Sequence, residues 1–590
     1  MKTSNTKKSN KIKFNSILGG GKIAGLMNPV MDRVLKLKRI RKFYERAGLE
    51  NLSGLEFVDR VIEKAGIKYN VDMEQLNNIP QDGPVIIVSN HPYGFIDGLI
   101  MLQILSHVRA DYKVMVNGMI SKFDELDELF IPVDNFNVGS KGNMGPMRNC
   151  IRHLKKDGIL GVFPSGSVSN FSFKKRNVTD DEWSETVAGL ARITGATVVP
   201  MHFSGHNSLR FQLAGLIHPL LRTAMLPAEA CRQIHNKIEV SIGQLVSPQT
   251  IKGLDNDREI ADYLRVCTYL LKEENNSEIM EPSSDGEEII QAIERDTLER
   301  EIAELPKSQH LVEFKDFDVY YASYGQIPNM MLEIGRTREE TFRAVGEGTG
   351  KSMDIDKYDV DYLQIFIWDR KNRGLVGAYR MGLVDELIKK HGIDGLYTNL
   401  FYEFSPEFLE KVENGMEMGR SYVCKEYQRS PYALLLLWKG IAEFSYKHPE
   451  RHMMFGAVSV SGEYDIRSRR LIKEILSHRD SGVMTRKEYR LPGKADREIK
   501  EFCRSHKDDF DSLVKLVKRV EDDDKSVPVL YKQYLKLGGE FTAFCYDEGF
   551  NGSMDGLILV DLAKTPEKVL KMYLGDKTQE YKARYGQIAS

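Results

Sequence analysis

The sequence predicts an α/β half followed by an α+β half, on three observations. Short apolar runs alternate with helical patterns as far as residue 271, the signature of a mixed sheet flanked by helices. An acidic stretch, Lys272–Glu288, interrupts that alternation with seven acidic residues against one lysine, and it includes Pro282, Ser283, Ser284 and Gly286. So little apolar surface cannot drive folding, and the stretch reads as a linker. Beyond it, Tyr362-Leu-Gln-Ile-Phe-Ile-Trp368 turns at Lys371–Gly374 into Leu375-Val-Gly-Ala-Tyr-Arg380, which predicts an antiparallel hairpin.

In the first half, strand patterns at 84–89, 112–116, 159–163 and 196–203 alternate with helical ones at 98–108, 145–157 and 184–194. A length of 590 residues suits two or three domains, and 42% hydrophobic with 28% charged residues is a globular composition. The expected division is a basic amphipathic segment over 1–60, an α/β domain over 61–271, a linker over 272–297 and an α+β domain over 298–590.

The net charge is only −2, but it is unevenly spread. Residues 1–50 carry thirteen Lys or Arg against Asp32, Glu45 and Glu50, a balance of +10. Apolar residues such as Ile17, Leu18, Ile23, Leu26, Val30 and Leu35 recur among them. That combination suits an anionic membrane surface, where each basic residue contributes about 1 kcal/mol. A basic tail, or a helix packed on the first domain, would carry the same pattern. No apolar run approaches the eighteen or so residues of a membrane span, and no secretory signal is readable. The six cysteines (Cys150, Cys231, Cys267, Cys424, Cys503, Cys545) have neither metal-ligand nor disulfide spacing. The expectation is a cytoplasmic protein, peripheral on the inner face of the cytoplasmic membrane, with no bound cofactor, no metal and no nucleic-acid partner.

The strand Pro84-Val-Ile-Ile-Val-Ser89 delivers Asn90-His-Pro-Tyr-Gly-Phe-Ile-Asp-Gly98 onto one tight turn. A carboxylate beside an imidazole holds one tautomer and stabilises the protonated ring, so His91 with Asp97 reads as a general base for a hydroxyl. The structural alternative makes Asp97 a helix cap and leaves His91 idle. Downstream stand Gly161-Val-Phe-Pro-Ser-Gly-Ser167 and Thr197-Val-Val-Pro-Met-His-Phe203, the latter running into Ser204-Gly-His-Asn207. Over about residues 60–250 this order resembles the glycerolipid acyltransferase superfamily, with its His–Asp, Phe-Pro-Glu-Gly and Val-Pro blocks. Two departures are visible. Five residues separate His91 from Asp97 where four are usual, and Ser165 stands where a glutamate is usual. The resemblance implies that Ser165, Gly166 and Ser167 help bind substrate and stabilise an oxyanion. The missing glutamate turns the expected acceptor away from a glycerol phosphate towards another lipid hydroxyl. Asn117 and His206 fall at equivalent strand ends. Lys174, Lys175 and Arg176 suit an anionic substrate and equally a solvated surface.

The second half carries Arg338-Glu-Glu-Thr-Phe342, Gly346, Gly350, Asp354, Asp356, Tyr358, Asp359, Arg380, Glu417-Met-Gly-Arg-Ser421 and Met454-Phe-Gly-Ala-Val-Ser459 in order. Over about residues 310–565 this resembles the acyl-carrier-protein-dependent N-acyltransferases of ornithine and related amino-acid lipids, which share the Gcn5-related architecture. The tandem order resembles the bifunctional ornithine-lipid synthases. N-acylation needs a neutral amine, a polarised thioester and a proton acceptor. Glu417 is the candidate acceptor. Asp356 and Asp359 are candidates for the amino acid's ammonium, and Arg380 or Arg420 for its carboxylate. A buried structural Glu417–Arg420 pair, and mere packing by Arg338 and Phe342, are the structural alternatives. Lys425-Glu-Tyr-Gln-Arg-Ser-Pro-Tyr432 lacks the glycines that let backbone amides wrap a pyrophosphate, so acyl carrier protein is the expected donor rather than coenzyme A.

The resulting expectation is two acylations in one chain. A 3-hydroxyacyl group passes from acyl carrier protein to the amine of ornithine or another small amino acid, and the hydroxyl so introduced is then acylated by the first half. The alternative is a single glycerolipid acyltransferase with a regulatory or carrier-binding second half.

Overall fold

The computed structural model describes residues 37–117, 124–133, 144–172, 177–208, 210–212, 225, 229, 237–272, 286–478, 481–487, 497–521, 525–547 and 552–586, with the backbone alone for 37–41, 117, 144 and 586. Residues 1–36 of the basic segment, the run Lys174–Arg176 and most of the acidic stretch lie outside them. The chain forms two bodies, Met1–Asn275 with Asp496–Phe502, and Asn276–Ala495 with Cys503–Ser590. Among the described residues no helix is long and apolar enough to cross a membrane.

The first body is built on a seven-stranded sheet. Its strands are β1 (Lys68–Val71), β2 (Val85–Ser89), β3 (Tyr112–Asn117), β4 (Phe130–Val133), β5 (Ile159–Val162), β8 (Thr197–Phe203) and β9 (Lys237–Ile242). A separate hairpin joins β6 (Asn170–Ser172) to β7 (Asn177–Thr179). The spatial order is β1-β9-β8-β2-β5-β3-β4, parallel except for β8 against β9. The central strand β2 is buried along its whole length, which is why it reads as an unbroken apolar run rather than an alternation. Helix Phe95–Ser106 is likewise buried almost all round, with Ile100, Met101, Leu102 and Leu105 sealed in the core. It comes so close to β5 that a Cβ on Gly161 would lie 2.5 Å from Met101 Sδ. The strands β1 and β4, four residues each, and β9 lie outside the strand patterns expected from the sequence.

The second body holds an eight-stranded sheet of β10 (His310–Phe314), β11 (Phe317–Ser323), β12 (Leu363–Asp369), β13 (Gly374–Leu383), β15 (Met416–Val423), β16 (Met453–Val460), β18 (Glu540–Asp547) and β19 (Ser553–Asp561). The strands β14 (Tyr402–Phe404) and β17 (Val483–Thr485) pair separately. The order is β10-β11-β12-β13-β15-β16-β19-β18. The hairpin expected at Tyr362–Arg380 is β12 and β13, antiparallel.

One junction matters for function. The parallel strands β15 and β16, linked through helix Ala433–Lys447, pair only at Met416↔Met454 and Glu417↔Phe455 before they part. A Cβ on Gly456 would lie 2.0 Å from the Met418 carbonyl oxygen, so glycine is required where the split begins. On the other side of β15 the register with β13 shifts at Ala378/Arg380, and Arg420 takes a left-handed φ of 50° in that bulge.

Candidate active sites

Because β2, β3, β5 and β8 run parallel, the loops that follow them gather at one sheet edge. His91 follows β2, Ser165 follows β5 and His206 follows β8. Asn117 closes β3 at the same edge; its side chain is outside the described residues. The turn carrying His91 is pinned from several directions. Asn90 mimics a strand residue, its Nδ2 donating to the Phe203 carbonyl at 2.9 Å and its Oδ1 accepting from Phe203 N at 2.8 Å. Asn207 Nδ2 donates to the Pro92 carbonyl at 2.9 Å. His91 N donates to Asp180 Oδ1 at 3.2 Å, while the His91 carbonyl accepts from Ser169 N at 2.8 Å. The imidazole stacks on Phe163 with centroids 4.1 Å apart.

His91 Nδ1 stands 3.1 Å from Asp97 Oδ2, and that oxygen also accepts the Tyr93 and Gly94 amides at 2.8 and 3.0 Å. Asp97 therefore caps helix Phe95–Ser106 and orients His91 at once. Burial pushes its carboxyl up, and the His91 ring and the two amides act against that shift. With Nδ1 facing the carboxylate, Nε2 is the atom left to take a hydroxyl proton. The His91 side chain is 16% exposed, so solvent reaches it.

The Phe-Pro block is braced by its own hydrogen bonds. Ser165 Oγ donates to the Ser167 carbonyl at 2.8 Å, Ser167 Oγ donates to Asp181 at 2.5 Å, and Gly166 N donates to Phe163 O at 3.1 Å. Both hydroxyls and the Gly166 amide brace this block and its contact with Asp181.

In the second body, three arginines and three aspartates assemble into one buried network. Arg338, fully buried, meets Asp354 Oδ2 at 3.0 Å and Asp359 Oδ2 at 2.8 Å. Arg380, 1% exposed, meets Asp356 at 2.8 Å and Asp359 at 3.5 Å. Arg420 Nε lies 3.1 Å from Asp354 Oδ2, and its Nη1 donates to Tyr397 OH at 3.1 Å. The facing guanidinium groups hold the Asp359 carboxyl far below the usual range against the cost of its burial. Asp359 and Arg380 are consequently not an ammonium or carboxylate receptor: their charges are already matched inside the protein. Asp356 is partly exposed and caps the turn Lys357–Val360 through Tyr358 N. Arg338 does far more than pack.

Glu417 is also corrected. It accepts Thr398 N at 2.6 Å, Thr398 Oγ1 at 2.5 Å and Tyr397 N at 3.1 Å, and Tyr362 OH donates to it as well. Its carboxylate is 2% exposed and holds the turn Tyr397–Leu400 rather than facing a cavity.

The cavity lies where β15 and β16 part. It has a volume of about 300 Å³ and is walled by Met418–Ser421 of β15 and Ala457–Ser459 of β16. Phe342, Val345 and Val529 give it an apolar rim, and Glu347, Asp555, Arg420 and Tyr397 bring polar groups into it. Glu347 Oε2 accepts from Ser459 Oγ at 2.9 Å, and Asp555 Oδ1 accepts from Ser553 Oγ at 2.7 Å. Burial raises the Glu347 carboxyl to about 7, helped by Asp547 and Glu463. Burial and Asp547 raise that of Asp555 to about 8. Of the expected residues only Arg420 lines this cavity. Glu347 and Asp555 escape sequence reading because each lies outside any motif, on elements the fold brings together from residues about 200 apart.

Comparison with known proteins agrees with this division. The family described as Acyltransferase matches residues 30–278, and the acetyltransferase (GNAT) domain matches 337–439. A glycine N(alpha)-acyltransferase of Phocaeicola vulgatus is 32% identical over 44% of this chain and 83% of its own length. One of Bacteroides thetaiotaomicron is 30% identical over 47% and 86%. A lyso-glycine lipid O-acyltransferase of Phocaeicola vulgatus is 27% identical over 38% and 80%. With its His–Asp site on a parallel sheet and its cavity between parting strands, the chain is an acyltransferase that belongs to this family of amino-acid-lipid acyltransferases, an acyltransferase domain fused to a GNAT domain.

Proposed function

We propose that this protein makes a diacylated amino-acid lipid in two steps, with glycine as the first acceptor to test and ornithine as the second. The GNAT body joins a 3-hydroxyacyl group to the amine, and the first body then acylates the hydroxyl that this group carries. The observation that carries the reading is the pair of dissimilar sites on one chain. One presents an imidazole backed by a carboxylate, suited to an alcohol; the other is a cavity with carboxylates and an arginine, suited to a zwitterion.

Parting strands expose backbone groups of the kind that recognise the amides of a phosphopantetheine arm. Acyl carrier protein is the proposed donor for the first step, because Lys425–Tyr432 offers no glycine-rich turn for a pyrophosphate. The basic segment over residues 1–50 supports docking on the inner face of an anionic membrane, where the monoacylated intermediate partitions.

In the first body, His91 Nε2 accepts the proton of the lyso-lipid hydroxyl as its oxygen attacks the second thioester, and Asp97 stabilises the imidazolium formed. The test supplies purified full-length protein with glycine or ornithine, 3-hydroxyacyl carrier protein and a second acyl donor, followed by mass spectrometry. Mono- and diacylated amino acid are expected in sequence. Acylation of lysophosphatidic acid with none of either amino acid would overturn the reading.

A further inference from the structure

Forming an amide from a thioester requires a group to relieve the attacking amine of its proton. Glu417 is poorly placed for it: its two oxygens receive four N–H and O–H donors from residues 362–398. A proton acceptor has to reach the space where the thioester meets the amine, and in this body that space is the cavity between β15 and β16. Two carboxylates line it, Glu347 and Asp555.

We propose that Glu347 is the catalytic proton acceptor for the amine, and that Asp555 with Arg420 positions the amino acid in the same cavity. This rests on the amide-forming reading above. Glu347 follows helix Pro328–Arg343 and is held by Ser459, which lies on β16 beyond the point where the strands part. The hydrogen bond uses Oε2 and leaves Oε1 for the substrate. Glu347 is 8% exposed, enough shielding to strengthen a charge-assisted contact while remaining in the cavity wall. Around it stand Asp547 and Asp555 from the β18–β19 hairpin, Glu463 from the loop after β16, Arg420 from β15, and the phenols of Tyr464 and Tyr531. An incoming ammonium meets negative charge here, while its own carboxylate is drawn to Arg420. Desolvation has also brought the Glu347 carboxyl to about 7, where a base works near neutral pH.

The step balances without a further reactant. The amine nitrogen bonds to the acyl carbon, the C–S bond breaks with its electron pair going to sulfur, and the nitrogen's proton passes to Glu347. The proton that passes to Glu347 is the one whose loss makes the ammonium a nucleophile. The second nitrogen proton, lost after attack, goes to the departing thiolate, and Glu347 releases its own to solvent, so acyl thioester and ammonium give amide, thiol and one proton.

The test compares wild-type full-length protein with Glu347→Gln, using 3-hydroxyacyl carrier protein and two acceptors. The amino acid is largely ammonium at neutral pH, whereas hydroxylamine is largely neutral and needs little help. Glu347→Gln should lower kcat on the amino acid by about 10²–10⁴-fold while transfer to hydroxylamine stays within about threefold, which also reports that the variant is folded. Equal loss with both acceptors, or loss with neither, would overturn the assignment while leaving the amide-forming reading intact. Wild-type transfer to hydroxylamine but to no amino acid would instead remove that reading, and this role for Glu347 with it.

Discussion

The Oδ2 atom of Asp97 stands 3.1 Å from Nδ1 of His91 while it accepts the amides of Tyr93 and Gly94 at 2.8 and 3.0 Å. The sequence had offered capping and catalysis as alternatives. The geometry places both on one carboxylate, because the turn that begins helix Phe95–Ser106 also carries His91.

Asp97→Asn should therefore separate the two roles. An amide oxygen can still accept the backbone donors, so the fold is expected to lose only about 1–2 kcal/mol. O-acylation should fall by about 10²–10⁴-fold, because a neutral amide no longer stabilises the imidazolium. Mass spectrometry is expected to show monoacylated product accumulating, as it would with His91→Ala. Loss of both acylations in a folded protein would refute the division of labour.

Glu417→Gln tests the opposite assignment. Its carboxylate accepts Tyr397 N, Thr398 N, Thr398 Oγ1 and Tyr362 OH, so one NH₂ group must now face donors. A stability loss of about 1–3 kcal/mol is expected in denaturant unfolding of the GNAT body. The pH dependence of N-acylation should keep its shape in the folded fraction. A vanished titration limb with unchanged stability would return Glu417 to the chemistry.

Asp359→Asn should be the most damaging of the single changes considered. It leaves Arg338, 0% exposed, and Arg380, 1% exposed, short of a shared counter-charge. Breaking one partner of a buried ion pair costs about 3–5 kcal/mol. Thermal unfolding should show it, and activity loss should track the unfolded fraction.

Glu347 makes stability depend on pH in a stated direction. Its carboxyl is raised from 4.5 to about 7 on folding, so the native state binds the proton more tightly than the unfolded chain. Stability is fully present below the unfolded value and declines as pH rises through the folded one. Asp555, raised to about 8, acts in the same sense. Glu347→Gln should thus gain on wild type between pH 5 and pH 8 by up to about 3 kcal/mol. Chemical denaturation at the two pH values measures it; no change in the difference would mean the carboxyl is not desolvated.

By itself, the sequence determined the two fold classes, the strands β2, β3, β5 and β8 with their helices, the β12–β13 hairpin and the His91–Asp97 pair. These are local signals: apolar runs of strand length, turns rich in Pro and Gly, and two functional residues six apart on one turn. Only the tertiary structure shows the candidate cavity of the second body. Asp356, Asp359, Arg380 and Arg420 look like a receptor along the chain, yet folding matches Asp359 and Arg380 with Arg338 and Asp356, and of the four only Arg420 reaches the cavity wall. Glu347 and Asp555 look like ordinary carboxylates until the parting of β15 from β16 opens a cavity between elements some 200 residues apart. Charge pairing and burial depend on distances through space, which the order of residues does not state.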